Sequence, residues 1–473
     1  MEKRDGFLKY KRENAKKISV DERIKNYKEF YVPQPEEDIK KQASRCMDCG
    51  IAYCNHACPL GNEIPDISYL VSKGQWKRAL DILQSKNNFP EFTGRLCPAL
   101  CEASCTLSIN DDPNISKEIE LSVVEKGFQE GWIKPLLPLI KTGYKVAVIG
   151  SGPSGLAAAQ ILARAGHNVT VFERAEEIGG ILAIGIPDYK LEKYVIKRRI
   201  DQLKDEGIKF KTNTNVGEDI SVHEVREKFD AICLAGGSTV PRDLDVKGRM
   251  LKGIHFAMDY LSQQNFINKG KEINEERIDA KGKNVVIIGG GDTGADCLGV
   301  AIRQGAKNIY QLEMMPKPPT KRTEKMPWPS WPMILRTNTA HEEGGERDWS
   351  IGTKYFSGEN GQVKKVHCVK LEWTEDEKGR RSMKEIEGSE FELDADIVLF
   401  AMGFLHPEQH QMIKRFDIEL DGRGNVKTNQ KYMTNIEGVF AAGDMRTGQS
   451  LVCKAISDGR HAAEAIDNYL KHK

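Results

Sequence analysis

Apolar positions follow one period up to about Ile140 and another from Lys145 onward. In the first stretch they recur at helical spacing, as in Ile67–Gln84, and long β-branched runs are missing, which predicts amphipathic helices. A linker containing Pro135, Pro138 and Gly143 closes it. Beyond it, short and continuously apolar runs alternate with helical stretches. Lys145-Val-Ala-Val-Ile-Gly150 reads as a buried strand, Leu156–Ala165 as the following helix, and Asn168-Val-Thr-Val-Phe-Glu173 as the next strand. The order recurs weakly from Asn284-Val-Val-Ile-Ile-Gly289 to Asn308-Ile-Tyr-Gln-Leu-Glu313. Two such openings predict two doubly wound α/β units after a helical first region. Between them and the C-terminus, residues 316–332 are too rich in proline for a helix or central strand. They read as an ordered, structural excursion from the second unit.

Both openings carry glycines at dinucleotide-binding spacing. The first is Gly150-Ser-Gly152-Pro153-Ser154-Gly155, with Glu173 at the end of the next strand. A glycine is needed for the tight turn, a second for backbone approach to a pyrophosphate, and a third for helix–strand packing. The helix N-terminus offers amide donors, and the acid can bind a ribose hydroxyl. The second is Gly289-Gly-Gly291-Asp292-Thr293-Gly294, with Glu313 in the acidic position. Together they predict two dinucleotides, a flavin and a nicotinamide.

Composition narrows the setting. With 473 residues the chain is too long for one core and divides into roughly two to four domains. Lys+Arg (70) and Asp+Glu (69) nearly cancel, so no global field favours nucleic acid or an anionic membrane. No apolar run is long enough to span a bilayer, and Met1–Lys17 resembles neither a signal nor a transit peptide, so a cytoplasmic protein is expected. Seven of eleven cysteines fall between Cys46 and Cys105, which argues for metal ligation rather than disulfides. Cys46-x2-Cys49-x4-Cys54-x3-Cys58-Pro59 resembles a ferredoxin pattern with a longer middle gap; Cys97-Pro-x2-Cys101-x3-Cys105 follows. Zinc competes, but only one C-x2-C pair is present. Seven thiols are one short of two [4Fe–4S] clusters, leaving either one cluster with spare thiols or a non-cysteine ligand.

Further motifs carry a family resemblance. Gly438-Val-Phe-Ala-Ala-Gly443-Asp444 resembles the second FAD motif of flavoprotein oxidoreductases with two dinucleotide domains, and Asp394–Gly403 resembles their return from the nicotinamide domain. The resemblance implies that the first unit binds FAD, the second, inserted unit binds NAD(P)H, and Asp444 meets the ribityl or pyrophosphate end. The flavin candidates are then Gly150, Gly152, Pro153, Ser154, Gly155, Glu173, Gly180, Gly443, Asp444, Ser450 and Leu451. The coenzyme candidates are Gly289, Gly291, Asp292, Thr293, Gly294, Glu313, Lys317 and Arg322. Glu313 favours NADH, because a 2′-phosphate would meet like charge; Lys317, Lys321 and Arg322 argue for NADPH. The expectation is NADH.

The cysteine runs, with Asn88-Phe-Pro-Glu-Phe-Thr-Gly-Arg-Leu-Cys97-Pro98, resemble the iron–sulfur domain shared by the glutamate synthase small subunit and dihydropyrimidine dehydrogenase. Gly6-Phe-Leu-Lys-Tyr-Lys-Arg12, Glu313-Met-Met-Pro-Lys-Pro-Pro319 and Gly448-Gln-Ser-Leu-Val452 extend the small-subunit resemblance over nearly the whole chain. It implies an α/β chain of residues 1–143 (helical iron–sulfur domain), 144–280 and 403–473 (FAD domain) and 281–402 (NAD(P)H domain), the last two nested and Rossmann-like. It implies two [4Fe–4S] clusters, one on Cys46, Cys49, Cys54 and Cys105, the other on Cys58, Cys97, Cys101 and Glu120. It also implies electron delivery to an FMN on a large subunit that makes glutamate from glutamine and 2-oxoglutarate. The alternatives are the input subunit of a ferredoxin-linked transhydrogenase or of a dihydropyrimidine dehydrogenase, and a non-catalytic flavin-bearing scaffold. A disulfide reductase would need a C-x-x-C near the flavin, and Cys233, Cys297, Cys368 and Cys453 are isolated.

Overall fold

The computed structural model describes residues 5–273, 275–376 and 379–473; the first four residues of the basic N-terminal stretch lie outside them. In the first region, helices Glu36–Ala43, Ile64–Ser72, Trp76–Lys86, Pro90–Leu96 and Ser116–Gln129 bury their apolar faces. Ile39, Ile67, Val71, Leu80, Leu83 and Val123 form the core shared by four of them, while Phe92 of Pro90–Leu96 packs into the first α/β unit. The expected helical stretch 67–84 is two helices, because Gly74 takes φ +69° and ends the first. Buried Arg45 ties the region together by donating to the carbonyls of Tyr10, Asp112 and Pro113.

Strands β1 (Lys145–Ile149), β2 (Asn168–Phe172), β3 (Lys209–Lys211) and β4 (Ala231–Leu234) open the first α/β unit. The chain then leaves it for β5 (Ile254–Phe256), β6 (Asn284–Ile288), β7 (Asn308–Glu313) and β8 (Glu346–Trp349). An antiparallel group follows: β9 (Ile351–Glu359), β10 (Gln362–Glu375), β11 (Arg381–Glu385) and β12 (Phe391–Asp394). Then come β13 (Ile397–Phe400) and β14 (Val439–Ala441). The two five-stranded sheets are parallel, ordered β14-β4-β1-β2-β3 and β5-β13-β6-β7-β8. Because β14 returns to the first sheet, the second unit is an insertion in the first.

The continuous apolar runs follow from burial on both faces. Val146 and Val148 meet Leu156 and Leu162 on one side, while Ala147 and Ile149 meet Phe172 and Ile232 on the other. Val285 and Ile287, against Val286 and Ile288, repeat this division. One boundary moves. β5 pairs with β13, and helix Ala257–Asn268 packs Tyr260 and Leu261 into the second core, so the insertion starts near residue 253 rather than 281. The run Ile254–Phe256 is too short to declare its sheet from sequence. The helical region is bolted to the first unit by a fully buried ion pair, in which Arg199 donates to both oxygens of Glu91 at 2.6 and 2.8 Å. Among the described residues no helix is long and apolar enough to cross a membrane.

Candidate functional site

β1 delivers the chain into a turn at Gly150 (φ +108°), where a Cβ would lie 2.3 Å from the Ala235 carbonyl oxygen. Gly152 precedes helix Pro153–Arg164, and a Cβ there would meet nothing within 4 Å. That vacant backbone face opens onto a cleft of about 1920 Å³ whose walls include Ser154, Glu173, Gly180, Asp444, Ser450 and Leu451. Glu173 accepts from the Ser151 N–H (3.0 Å), the Ser151 hydroxyl (2.5 Å) and the Ala175 N–H (2.9 Å). Gly180 stacks on Gly152, with 2.9 Å between the position of a Cβ and the Gly152 Cα. Asp444, next to Gly443 at the start of a short helix, accepts the Ser450 hydroxyl at 2.6 Å, and burial raises its carboxyl above the usual range. Two buried hydroxyls in the cleft wall, Ser154 Oγ and Ser238 Oγ, have no hydrogen-bond partner. An open phosphate-sized approach, orphaned hydroxyls and a helix N-terminus fit a dinucleotide such as FAD. Gly155, by contrast, packs inside, where a Cβ would strike the Gly150 carbonyl oxygen at 2.0 Å.

The second unit repeats the construction. Gly289 has φ +127°, Gly291 faces open space, and Glu313 accepts from the Gly290 N–H and the Met315 N–H, both at 2.9 Å. Gly294 packs a Cβ position 2.3 Å from the Gly289 carbonyl oxygen, as Gly155 does in the first unit. Gly291, Asp292, Thr293 and Glu313 line the same large cleft, so one cavity runs from one fingerprint to the other.

The expected cations do not. Arg322 donates to the carbonyls of Ser330 (2.6 Å), Met326 (3.3 Å) and Ala103 (2.6 Å), the last in the helical region. It is outside the cleft wall, and its guanidinium is occupied. Lys317 lies over the Trp349 ring, 4.8 Å from its centre, and is also absent from the wall. Other polar residues, not foreseen, line that part of the cleft: Arg336 stacked on Trp331 at 3.9 Å, Arg347 beside Trp349 at 4.9 Å, and His341. His341 Nδ1 accepts the Asn338 N–H at 3.1 Å and its Nε2 meets Gln311 Oε1 at 2.8 Å. Burial, with Arg347 nearby, lowers its pKa to about 4. No spacing in the sequence marks these three; β8 beside β7 and the return of the proline-rich segment bring them in.

In the helical region Cys46, Cys49, Cys54 and Cys105 ring one small cavity with Tyr53 and Thr106. Burial pushes the Cys46 thiol up to about 11 and Cys54 to about 12. Cys58, Cys97, Cys101 and Glu120 gather separately. Burial and the charge of Glu120 raise Cys58 to about 11 and drive Cys101 up, while burial raises Glu120 itself to about 8. Among the described residues no group of three or more His, Cys, Asp or Glu side chains is arranged to hold a single metal ion. Thiols and a carboxyl desolvated together are a donor set that a polynuclear iron cation suits, since cationic iron holds them ionised. The two groups are contiguous, for Cys54 packs on the apolar cluster of Ile64, Ala99 and Cys101. Cys97 also reaches the wall of the large cleft. The proline-rich segment covers the first group: Trp328 Nε1 donates to the Cys105 carbonyl (3.3 Å), its ring meets Tyr53 edge-on at 4.6 Å, and Ser104 donates to the Pro329 carbonyl (2.7 Å).

Two nested dinucleotide units sharing one cleft, with a cysteine-rich domain on its wall, define a pyridine-nucleotide flavoprotein oxidoreductase with an iron–sulfur domain. Residues 144–459 match the family described as pyridine nucleotide-disulphide oxidoreductase, and residues 23–132 match dihydropyrimidine dehydrogenase domain II, 4Fe-4S cluster. Relatives include the glutamate synthase [NADPH] small chain of Mycobacterium tuberculosis, 49% identical over 98% of this chain and 95% of that one. The Bacillus subtilis small chain is 44% identical over 99% of both. Glutamate synthase [NADH] of Schizosaccharomyces pombe is 46% identical over 99% of this chain but 23% of its own length. This chain belongs to the glutamate synthase small-chain family. Its fold is also that of M. tuberculosis FprA, solved in complex with NADPH (TM-score 0.56, 18% identity, 70% of this chain and 85% of that one).

Proposed function

We propose that the chain is the electron-input subunit of a glutamate synthase, oxidising NAD(P)H and serving a large, FMN-carrying subunit that makes glutamate from glutamine and 2-oxoglutarate. The observation that carries this reading is the shared cleft: both fingerprints line it, and Cys97 stands in its wall. Bound there, FAD would supply a hydride acceptor and two [4Fe–4S] clusters would supply one-electron carriers. The protein's part is placement. Gly152 and Gly291 leave room for pyrophosphates, and Glu173 and Glu313 stand at the ribose positions. Cys46, Cys49, Cys54 and Cys105 would hold one cluster, while Cys58, Cys97, Cys101 and Glu120 would hold the other. Resemblance to dihydropyrimidine dehydrogenase is carried by residues 23–132, whereas small-chain relatives match 98% or more of the chain. The large subunit is supported by the S. pombe relative, in which the matching part is 23% of a longer glutamate synthase. A cytoplasmic location accords with this role.

NADH is the preferred coenzyme. Glu313 stands at the ribose corner, where a 2′-phosphate would meet like charge, and Arg322 is committed elsewhere; the Arg336 and Arg347 guanidiniums in the wall lie against Trp331 and Trp349. The test is anaerobic purification with flavin, iron and sulfide assays, dye reduction with each coenzyme, and glutamate formation on adding the large subunit. Protein without flavin or iron, or no glutamate with the large subunit, overturns the reading. A kcat/KM favouring NADPH by tenfold overturns the coenzyme assignment.

A further inference from the structure

Cys453 has no place in either cysteine group, yet its Sγ lies 3.7 Å from Cys97 Sγ. It sits in the first turn of the 20-residue helix Val452–Lys471 and is 1% exposed. Leu451, Val452 and Ala455 around it line the large cleft. The helix is held against the cysteine-rich domain independently of this contact. Ser457 donates to the Pro59 carbonyl at 2.7 Å, one residue beyond Cys58, and Arg460 donates to Asn88 Oδ1 (2.6 Å) and the Ser85 carbonyl (2.9 Å). Cys97 Sγ also accepts the Ala99 N–H at 3.4 Å.

Resting on the proposed function, in which Cys97 is a cluster ligand, we infer that Cys453 is a positioning residue that tunes the cluster facing the flavin. A ligating thiolate carries no proton, so the hydrogen between the two sulfurs belongs to Cys453, which donates to Cys97. Hydrogen bonds to cluster sulfurs are among the terms that set its reduction potential. Donation to the thiolate offsets negative charge and therefore favours the reduced, more anionic cluster. The effect acts where it matters for the reaction, on the cysteine that borders the cleft. A packing role alone would be served equally by valine, which has nearly the same volume and no donor.

The experiment is an EPR-monitored redox titration of the full-length, anaerobically purified holoprotein and its Cys453→Val and Cys453→Ser variants, with iron content and circular dichroism measured on each. Cys453→Val is expected to keep its iron and to shift the reduction equilibrium of one cluster roughly tenfold toward the oxidised form, about 59 mV for one electron. Cys453→Ser restores a donor and is expected to titrate at or above the wild-type potential. The second cluster should not move. A Cys453→Val protein titrating at the wild-type potential, or a serine variant no different from the valine one, overturns the inference. Loss of one cluster from both variants overturns it too, making Cys453 a ligand. Should Cys453→Val fail to fold, Cys453→Ala, which also lacks a donor, takes its place against the serine variant on the same scale. Wild-type protein devoid of iron overturns the cluster reading itself, and this inference with it.

Discussion

Gly152 and Gly150 stand two residues apart and answer to different demands. At Gly150 a side chain strikes the Ala235 carbonyl, so Gly150→Ala is expected to cost about 1–3 kcal/mol in stability whether or not flavin is present. At Gly152 the protein leaves space, so Gly152→Leu should fold normally and purify without its flavin bands, keeping only iron–sulfur absorbance, with flavin affinity down at least roughly a hundredfold. Visible absorbance beside a thermal melt separates the two variants. His341 offers a pH test. Its Nδ1 already accepts the Asn338 N–H, and burial opposes the charged ring, so the folded pKa is about 4 against 6.5 ordinarily. The unfolded chain then binds the extra proton between those values. Stability from this residue is complete above pH 6.5 and is lost as the pH falls toward 4. His341→Gln is expected to flatten that acid limb by about 1–2 kcal/mol after allowance for solvent screening, read by denaturation at several pH values.

At the scale of elements, the segment 316–337 changes meaning most. Its prolines announce irregular backbone, and its cations read as phosphate ligands when only the next strand is in view. Folded, Arg322 spans to Ala103 and Trp328 to Cys105, so the segment straps the second unit to the cysteine-rich domain. Arg322→Ala should therefore leave the NADH-to-NADPH ratio of kcat/KM unchanged within about twofold. It should lower stability by about 1–3 kcal/mol, the order of lost charge-assisted hydrogen bonds. A melt and paired kinetics check both halves. Strand β5 is the other case: three residues paired to β13 belong to a sheet whose remaining strands lie 28 or more positions later, from Asn284 on.

Across the whole molecule, the contact between the cysteine-rich domain and the first unit relies on Glu91 and Arg199, both fully buried. Glu91→Ala leaves an unpaired guanidinium in a dry interface and is expected to cost about 3–5 kcal/mol, measured by denaturant unfolding of the holoprotein. Replacing both partners with apolar residues should recover most of that loss. Glu91 lies within the run Asn88–Pro98, but nothing there points to Arg199, because the two are 108 positions apart and become a pair only on docking.

What the sequence by itself determined were the features whose physics is local. Gly150 to Glu173 and Gly289 to Glu313 each lie within one strand–turn–helix–strand unit, so turn geometry, amide donors and acid are all written at short range. The spacing of Cys46, Cys49, Cys54 and Cys58 is local in the same sense. Tertiary structure alone decided which long-range groups share a site. It put Cys97 on the wall of the shared cleft and Cys453 against it, sent Arg322 away from that cleft, and brought Arg336, His341 and Arg347 into its wall. Side-chain type states what a residue can bond. Which partner it meets depends on how sheets and domains pack, and packing is set by burial summed over the entire chain.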